Sequence, residues 1–429
     1  MTDIAKTLKP GQRITVRAPS PTGTYTSLPL VELKAGDSLI VKGDAACPPS
    51  LQALVDAASP GSTLTIPACT FRETVTVKKP LTLVTVGGKI DGEGVRPYGF
   101  VVVADDVTID GFEVTGTTTP KQDGAIRARN GNHRFTLRNA HVHHTGGSGI
   151  SIKGGSGHKV LDSEFAYCEQ QGYHVGSVSG LLFARNHVHH NNPNHTYESS
   201  WEAGAGKFSN SSGVVFDGNE VAYNNGPGLW CDINVTDATF RNNRIHHNEK
   251  AGIFFEISDG ALIHDNIVWE NAWTKPGWAW GAGILVSSSR NVEIRNNVVA
   301  WNPDGISVIS QQRAGGTHFD SNTVVNVNVH DNDVITAVTS GDTSGKYLLA
   351  WLMDWAGTMF DPASNNRGAG NRYWYSASES SARFAWNRTN IGRLADFNAT
   401  PGEEGGRYLT VTERDAVLTK AGIPLAAER

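Results

Sequence analysis

The sequence predicts an all-β solenoid, a single-stranded right-handed parallel β-helix, and three observations carry that prediction. The first is a degenerate repeat of roughly 23 residues between about residues 100 and 335. Its copies are LFARNHVHHNN (182–192), VFDGNEVAYNN (215–225), TFRNNRIHHNE (239–249), LIHDNIVWENA (262–272) and EIRNNVVAWNP (293–303). The second is a Gly followed by a short apolar strand after each copy: GISIK (149–153), GYHVG (172–176), GLWCD (228–232), GIFFE (252–256), GILVS (283–287) and GISVI (305–309). The third is register. Counting the residue after each Gly as inward gives Ile150/Ile152, Tyr173/Val175, Leu229/Cys231, Ile253/Phe255, Ile284/Val286 and Ile306/Val308, all apolar, as strands lining a narrow interior require.

The elements follow in order. Residues 1–45 (ITVRAP, LPLVEL, SLIVKG) read as a small β element, and 46–99 as a capping helix with the first coil. SLQALVDAA places Leu51, Leu54, Val55 and Ala58 on one stripe and is ended by Pro60 and Gly61. Such a helix plugs the open end of a solenoid, where bare strand edges would otherwise be exposed. TLTIP, TVTV and LTLVTV supply the first coil, and the β-helix proper spans 100–340. In the coil at 205–209 Ala205 takes the Gly position, which points Lys207 outward; in the coil at 124–129 the same rule would bury Arg127. Residues 341–429 read as a small α+β cap whose last helix starts at Thr412 and ends at Gly422.

Composition narrows the function classes. The chain has 429 residues, 39% hydrophobic and 18% charged, with 47 Gly and a net charge of −5, a balance that gives no reason to expect nucleic acid or anionic lipid as a partner. No apolar run reaches membrane-spanning length, and the polar start MTDIAKTLKPGQRITVRAP has no signal-peptide apolar region. Cys47 and Cys69 flank one short segment and could pair if oxidised, whereas Cys231 falls on an inward position as a buried thiol. The recurring Asn186, Asn219, Asn243, Asn266 and Asn297 read as a stacked amide ladder, and the runs His141/His143/His144, His187/His189/His190 and His246/His247 as turn-side stacks.

Outward residues of successive coils form columns about 4.8 Å apart. One column reads Ser151, His174, Lys207, Trp230, Phe254, Leu285; the next reads Lys153, Gly176, Ser209, Asp232, Glu256, Ser287. Asp232 and Glu256 are therefore stacked carboxylates, and without a partner such a pair either splits its pKa values or holds a cation. Two long insertions, NPNHTYESSWEAGAG (192–206) and NAWTKPGWAWGAG (271–283), enter the same stretch with Glu198, Trp201, Glu202, Trp273, Trp278 and Trp280. Aromatic faces beside acids suit sugar rings. Asp232, Glu256, Lys207 and His174 are the candidate catalytic groups; Trp230, Trp201, Glu202, Phe254, Trp273, Trp278 and Trp280 are the candidate substrate contacts. Three chemistries fit: a glycosidase using both carboxylates, a lyase on uronic-acid polymers with Ca²⁺ on Asp232 and Glu256 and Lys207 as base, and glycan binding without turnover.

The stretch 201–258 resembles the right-handed parallel β-helix repeat proteins of bacteria and phages, a group similar in fold to pectate lyases, polygalacturonases and phage tailspikes. The resemblance implies an extracellular or virion location and a polysaccharide or cell-surface glycan as ligand. It also implies, for the phage members, tail proteins as partners and a homotrimer, although nothing in the sequence forces a trimer. It transfers no catalytic motif to individual residues.

Overall fold

The computed structural model describes residues 47–272, 279–312, 323–336, 347–352, 355–376 and 383–427. The β element expected at 1–45 lies outside them. Among the described residues three sheets of 12, 13 and 13 strands run the length of a solenoid, and every strand but Thr389–Ile391 pairs in parallel with its equivalents in the neighbouring coils. One coil is thus three short strands and three corners, as in Val215–Asp217, Glu220–Ala222 and Leu229–Asp232.

Inward side chains stack on their copies in adjacent coils. Phe183, Phe216 and Phe240 form one such column, with the Phe216 and Phe240 rings 4.8 Å apart and 10° from parallel. The marker glycines turn the corner into the third sheet. A Cβ on Gly252 would lie 2.6 Å from Val268 Cγ1 and 2.8 Å from Asn271 Nδ2, so the corner has no room for one. At Gly206 the missing side chain accommodates the Tyr173 ring, which a Cβ would meet at 2.4 Å. That explains how a tyrosine fits inside.

Two asparagine ladders line the corners on either side of the second sheet. Asn186, Asn219, Asn243, Asn266, Asn297 and Asn332 each donate Nδ2 to the next amide oxygen at 2.9–3.1 Å, and the series ends with Asn371 donating to the buried Glu403 at 2.7 Å. The second ladder, Asn191, Asn224, Asn248, Asn271 and Asn302, does the same. Beside it His144, Tyr167, His190, Tyr223 and His247, all left-handed at φ near 53°, stack ring on ring 4.8–5.2 Å apart.

The structure departs from expectation at four places. Gly124 pairs with Ser148 rather than with Gly149, so Ala125 takes the corner position, Ile126 points inward and Arg127 lies outward beneath Ser151. The strand Thr82–Thr85 stacks on Thr63–Ile66 and so opens the second coil, not the first. The solenoid also continues past 340: Leu349–Leu352, Arg367–Ala369, Arg372–Tyr375 and Phe384–Trp386 all join in parallel, and only Thr389–Ile391 turns antiparallel. The repeat is lost there because the connections change length, while Leu349 and Trp351 keep the inward alternation. The last helix is Val411–Ala421, one residue earlier than expected, with a Thr410/Glu413 capping box and left-handed Gly422 at its end.

At the N-terminal end Leu51–Ala57 is helical, capped by Ser50, with Leu51 and Val55 buried. Cys168 and Cys231 are buried free thiols.

Candidate functional site

The outward columns of the third sheet stand in the expected register. Ser151, His174, Lys207, Trp230, Phe254 and Leu285 are successive partners, as are Lys153, Gly176, Ser209, Asp232, Glu256 and Ser287. Asp232 and Glu256 are thus neighbours on one face, each 5% exposed, and both line a cavity of about 580 Å³. Trp201, Glu202, Lys207, Trp230, Phe254 and Trp280 share that wall. Trp273 and Trp278 lie outside the described residues.

The first insertion is fastened over the sheet. Asn192 donates to Tyr197 O and Asn225 O at 2.9 Å each, Asn194 donates to Glu169 at 2.8 Å, and Lys121 Nζ sits 4.1 Å from the Trp201 ring centroid. This brings Glu202 beside Lys207, 3.6 Å from its ammonium. Lys207 reaches diagonally to the next coil and the neighbouring column, where its Nζ lies 2.7 Å from Asp232 Oδ2; both side chains are 7% exposed. The same ammonium lies 4.4 Å above the Trp230 ring, whose other neighbour is Phe254, stacked at 5.6 Å.

These contacts revise the expected carboxylate stack. Asp232 is not a lone acid facing Glu256, because the pair includes a built-in cation. A calcium ion needs six to eight oxygen ligands, and here one carboxylate is already neutralised by an ammonium. The donor set does not fit calcium.

Trp230, expected as a sugar platform, is 2% exposed and serves as the floor on which Lys207 rests. The exposed aromatic surface belongs to Trp201 and Trp280, at 50% and 38%. His174 is not on the cavity wall. Its Nδ1 is 2.9 Å from Gln171 Nε2 and 3.5 Å from Glu202 Oε2, and burial holds the imidazole below its ordinary pKa against the opposing pull of Glu202.

Sequence reasoning missed Glu249 and Lys250, which line the cavity from the corner before Gly252. Their signal was position, since they enter the third sheet at the same corner as the insertions. It also missed Asp123, which continues the face toward the N-terminal end. Asp123 accepts from Ser151 Oγ at 2.8 Å, Arg127 Nε at 3.0 Å and Tyr98 Oη at 3.0 Å. Burial alone would raise its pKa, but the hydrogen bonds from Ser151, the Gly124 N–H, Arg127 and Tyr98 outweigh it and hold the carboxyl low.

With this geometry in place, the sequence profile of the right handed beta helix region matches residues 124–299. The chain is a right-handed parallel β-helix. No curated protein sequence matches it. Among solved structures, this β-helix is similar to the A-module of the mannuronan C-5 epimerase AlgE6 of Azotobacter vinelandii, with a TM-score of 0.56 at 14% identity over 84% of this chain and 94% of that one. It is also similar to XylC in complex with xylose, with a TM-score of 0.52 at 12% identity over 80% and 83% of the two chains. At such identities the likeness is one of fold.

Proposed function

We propose that this β-helix binds a polysaccharide chain in the groove of its third sheet and hydrolyses it by acid–base chemistry. The observation that carries the reading is the buried Asp232–Lys207 ion pair with Glu256 one coil along, in one cavity beneath the exposed Trp201 and Trp280. Hydrolysis of a glycosidic bond needs one carboxyl group as proton donor and one as carboxylate, and their surroundings must differ. Lys207 stabilises the charged form of Asp232, which makes it the carboxylate. Glu256 is the proton donor. Trp201 and Trp280 offer faces on which sugar rings stack. The two structural relatives named above are called after mannuronan and bound to xylose, in keeping with a carbohydrate ligand.

A polysaccharide ligand puts the protein's work outside a cell or on a virion. A lyase and a tail-borne adhesin are the competing readings of the same groove. The test is a polysaccharide panel read for chain ends. New reducing ends without ultraviolet absorbance, unchanged by EDTA and lost in Asp232→Asn and Glu256→Gln, support hydrolysis. Unsaturated ends would transfer the reading to a lyase, and retained binding with no new ends to an adhesin such as a phage tail component.

A further inference from the structure

A second cluster lies on a different sheet from the groove and owes nothing to the reading above. The outer face of the second sheet carries a column that runs Lys89, Glu113, His141, Glu164, His187, Glu220, Arg244 through successive coils. The column two residues further along each strand holds His143, Ala166, His189, Ala222 and His246. A carboxylate therefore meets an imidazole diagonally three times: His143 Nε2 is 3.2 Å from Glu113 Oε1, His189 Nε2 is 2.9 Å from Glu164 Oε1, and His246 Nε2 is 3.4 Å from Glu220 Oε1.

The three copies differ in what else faces the acid. Glu113 is already bound by Lys89 at 3.0 Å. Glu220 has Arg244 one coil along, in the position that a histidine fills in the other two copies, and the Arg244 charge is among those that hold the Glu220 carboxyl low. Among the described residues only histidines pair with Glu164: His189 at 2.9 Å and His141 at 3.6 Å. One donor atom each from Glu164, His187 and His189 fall within 4.8 Å of one another. The middle copy is the one whose negative charge no lysine or arginine answers.

Its ligand atoms are also oriented from behind. His189 Nδ1 lies 2.8 Å from His190 Nδ1, and the His190 ring is stacked between Tyr167 and Tyr223 at 5.1 and 5.2 Å. A ring whose Nδ1 is held in this way presents Nε2, which is how second-shell partners commonly fix a metal-binding imidazole. Two imidazole nitrogens and one carboxylate oxygen, with bond lengths of about 2.0–2.2 Å, make a donor set typical of zinc. We propose that Glu164, His187 and His189 form a zinc-type divalent metal site that clasps two consecutive coils on the second sheet. Its fourth position is open to solvent beside the exposed His187.

The test uses the full chain without a polyhistidine tag, stripped by chelator and titrated with zinc chloride by calorimetry. One Zn²⁺ per chain is expected, with affinity at least about tenfold weaker in His187→Gln and in Glu164→Gln, and unchanged in His133→Gln, whose imidazole lies outside the cluster, 2.9 Å from Ser156 Oγ. His187 is exposed, so its substitution leaves the fold intact; circular dichroism checks this for both variants. Zinc should also raise the melting temperature of the wild-type chain and not that of His187→Gln. Absence of zinc binding to the wild-type chain, or affinity within threefold of it in either variant, overturns the proposal.

Discussion

Lys207 shows how far a single residue's role depends on its neighbours. The register places it outward in the column of His174 and Trp230, and from the linear chain it is one of several polar groups on a face. Its meaning comes from reach: the stem crosses the Trp230 ring and delivers the ammonium to Asp232, with Glu202 on the other side. Removing one member of a buried ion pair leaves an uncompensated charge, at a cost of about 3–5 kcal/mol. Lys207→Met should therefore lower the urea midpoint by that equivalent, and Lys207→Met/Asp232→Asn should recover part of it. An Asp232→Asn cost that is the same in the wild-type and Lys207→Met backgrounds would show that the pair is not coupled. The outward direction of Lys207, Asp232 and Glu256 was legible because strand alternation is local. The ion pair was not, because it joins different columns in different coils.

At the scale of the element, the corners are what hold the coils in register. Asn243 accepts from the Asn219 N–H at 3.0 Å and from Asn219 Nδ2 at 2.9 Å, and donates to Phe216 O at 3.0 Å and Asn266 Oδ1 at 2.9 Å. Asn243→Ala strands several buried polar groups at once, each costing about 1–3 kcal/mol. The expected loss is about 3 kcal/mol or more, measured by denaturant unfolding. A loss below about 1 kcal/mol would mean that water replaces the ladder. The first ladder was readable from its spacing. The second was hidden because its asparagines sit next to histidines and tyrosines that drew attention to their own chemistry. The coil at 124–129 was misjudged because Ala125 stands where other coils have Gly, which shifts the apparent phase by one residue and reverses every side chain.

For the whole molecule the question is how the outer faces are finished. The C-terminal helix Val411–Ala421 lies on the outside of the second sheet, where Leu418 and Ala421 cluster with Trp269, Ala300, Trp301 and Ile335. Arg244 Nη1 donates to Ala421 O at 2.8 Å and Trp301 Nε1 to Pro424 O at 2.8 Å. A chain ending at Leu409 would uncover that apolar patch, and such patches drive association. The truncated protein should elute as oligomers in size-exclusion chromatography while keeping its β circular dichroism signal. A monodisperse product with unchanged melting temperature would remove the helix's structural role. The helix itself was foreseeable from its caps, but its docking surface comes from the strands Ile267–Trp269, Val298–Ala300 and Asp333–Thr336, far earlier in the chain.

The sequence alone determined the solenoid, its inward register, one asparagine ladder and the face on which Asp232 and Glu256 sit. Those features repeat with the coil, and a repeat is local information copied many times. Only the tertiary structure decided that Asp232 is neutralised by Lys207, that Trp230 is a floor while Trp201 and Trp280 are walls, and that Glu249 and Lys250 join the cavity. Each of these depends on a contact between coils through side chains or insertions that break the repeat, and distances of that kind are set by packing rather than by spacing along the chain.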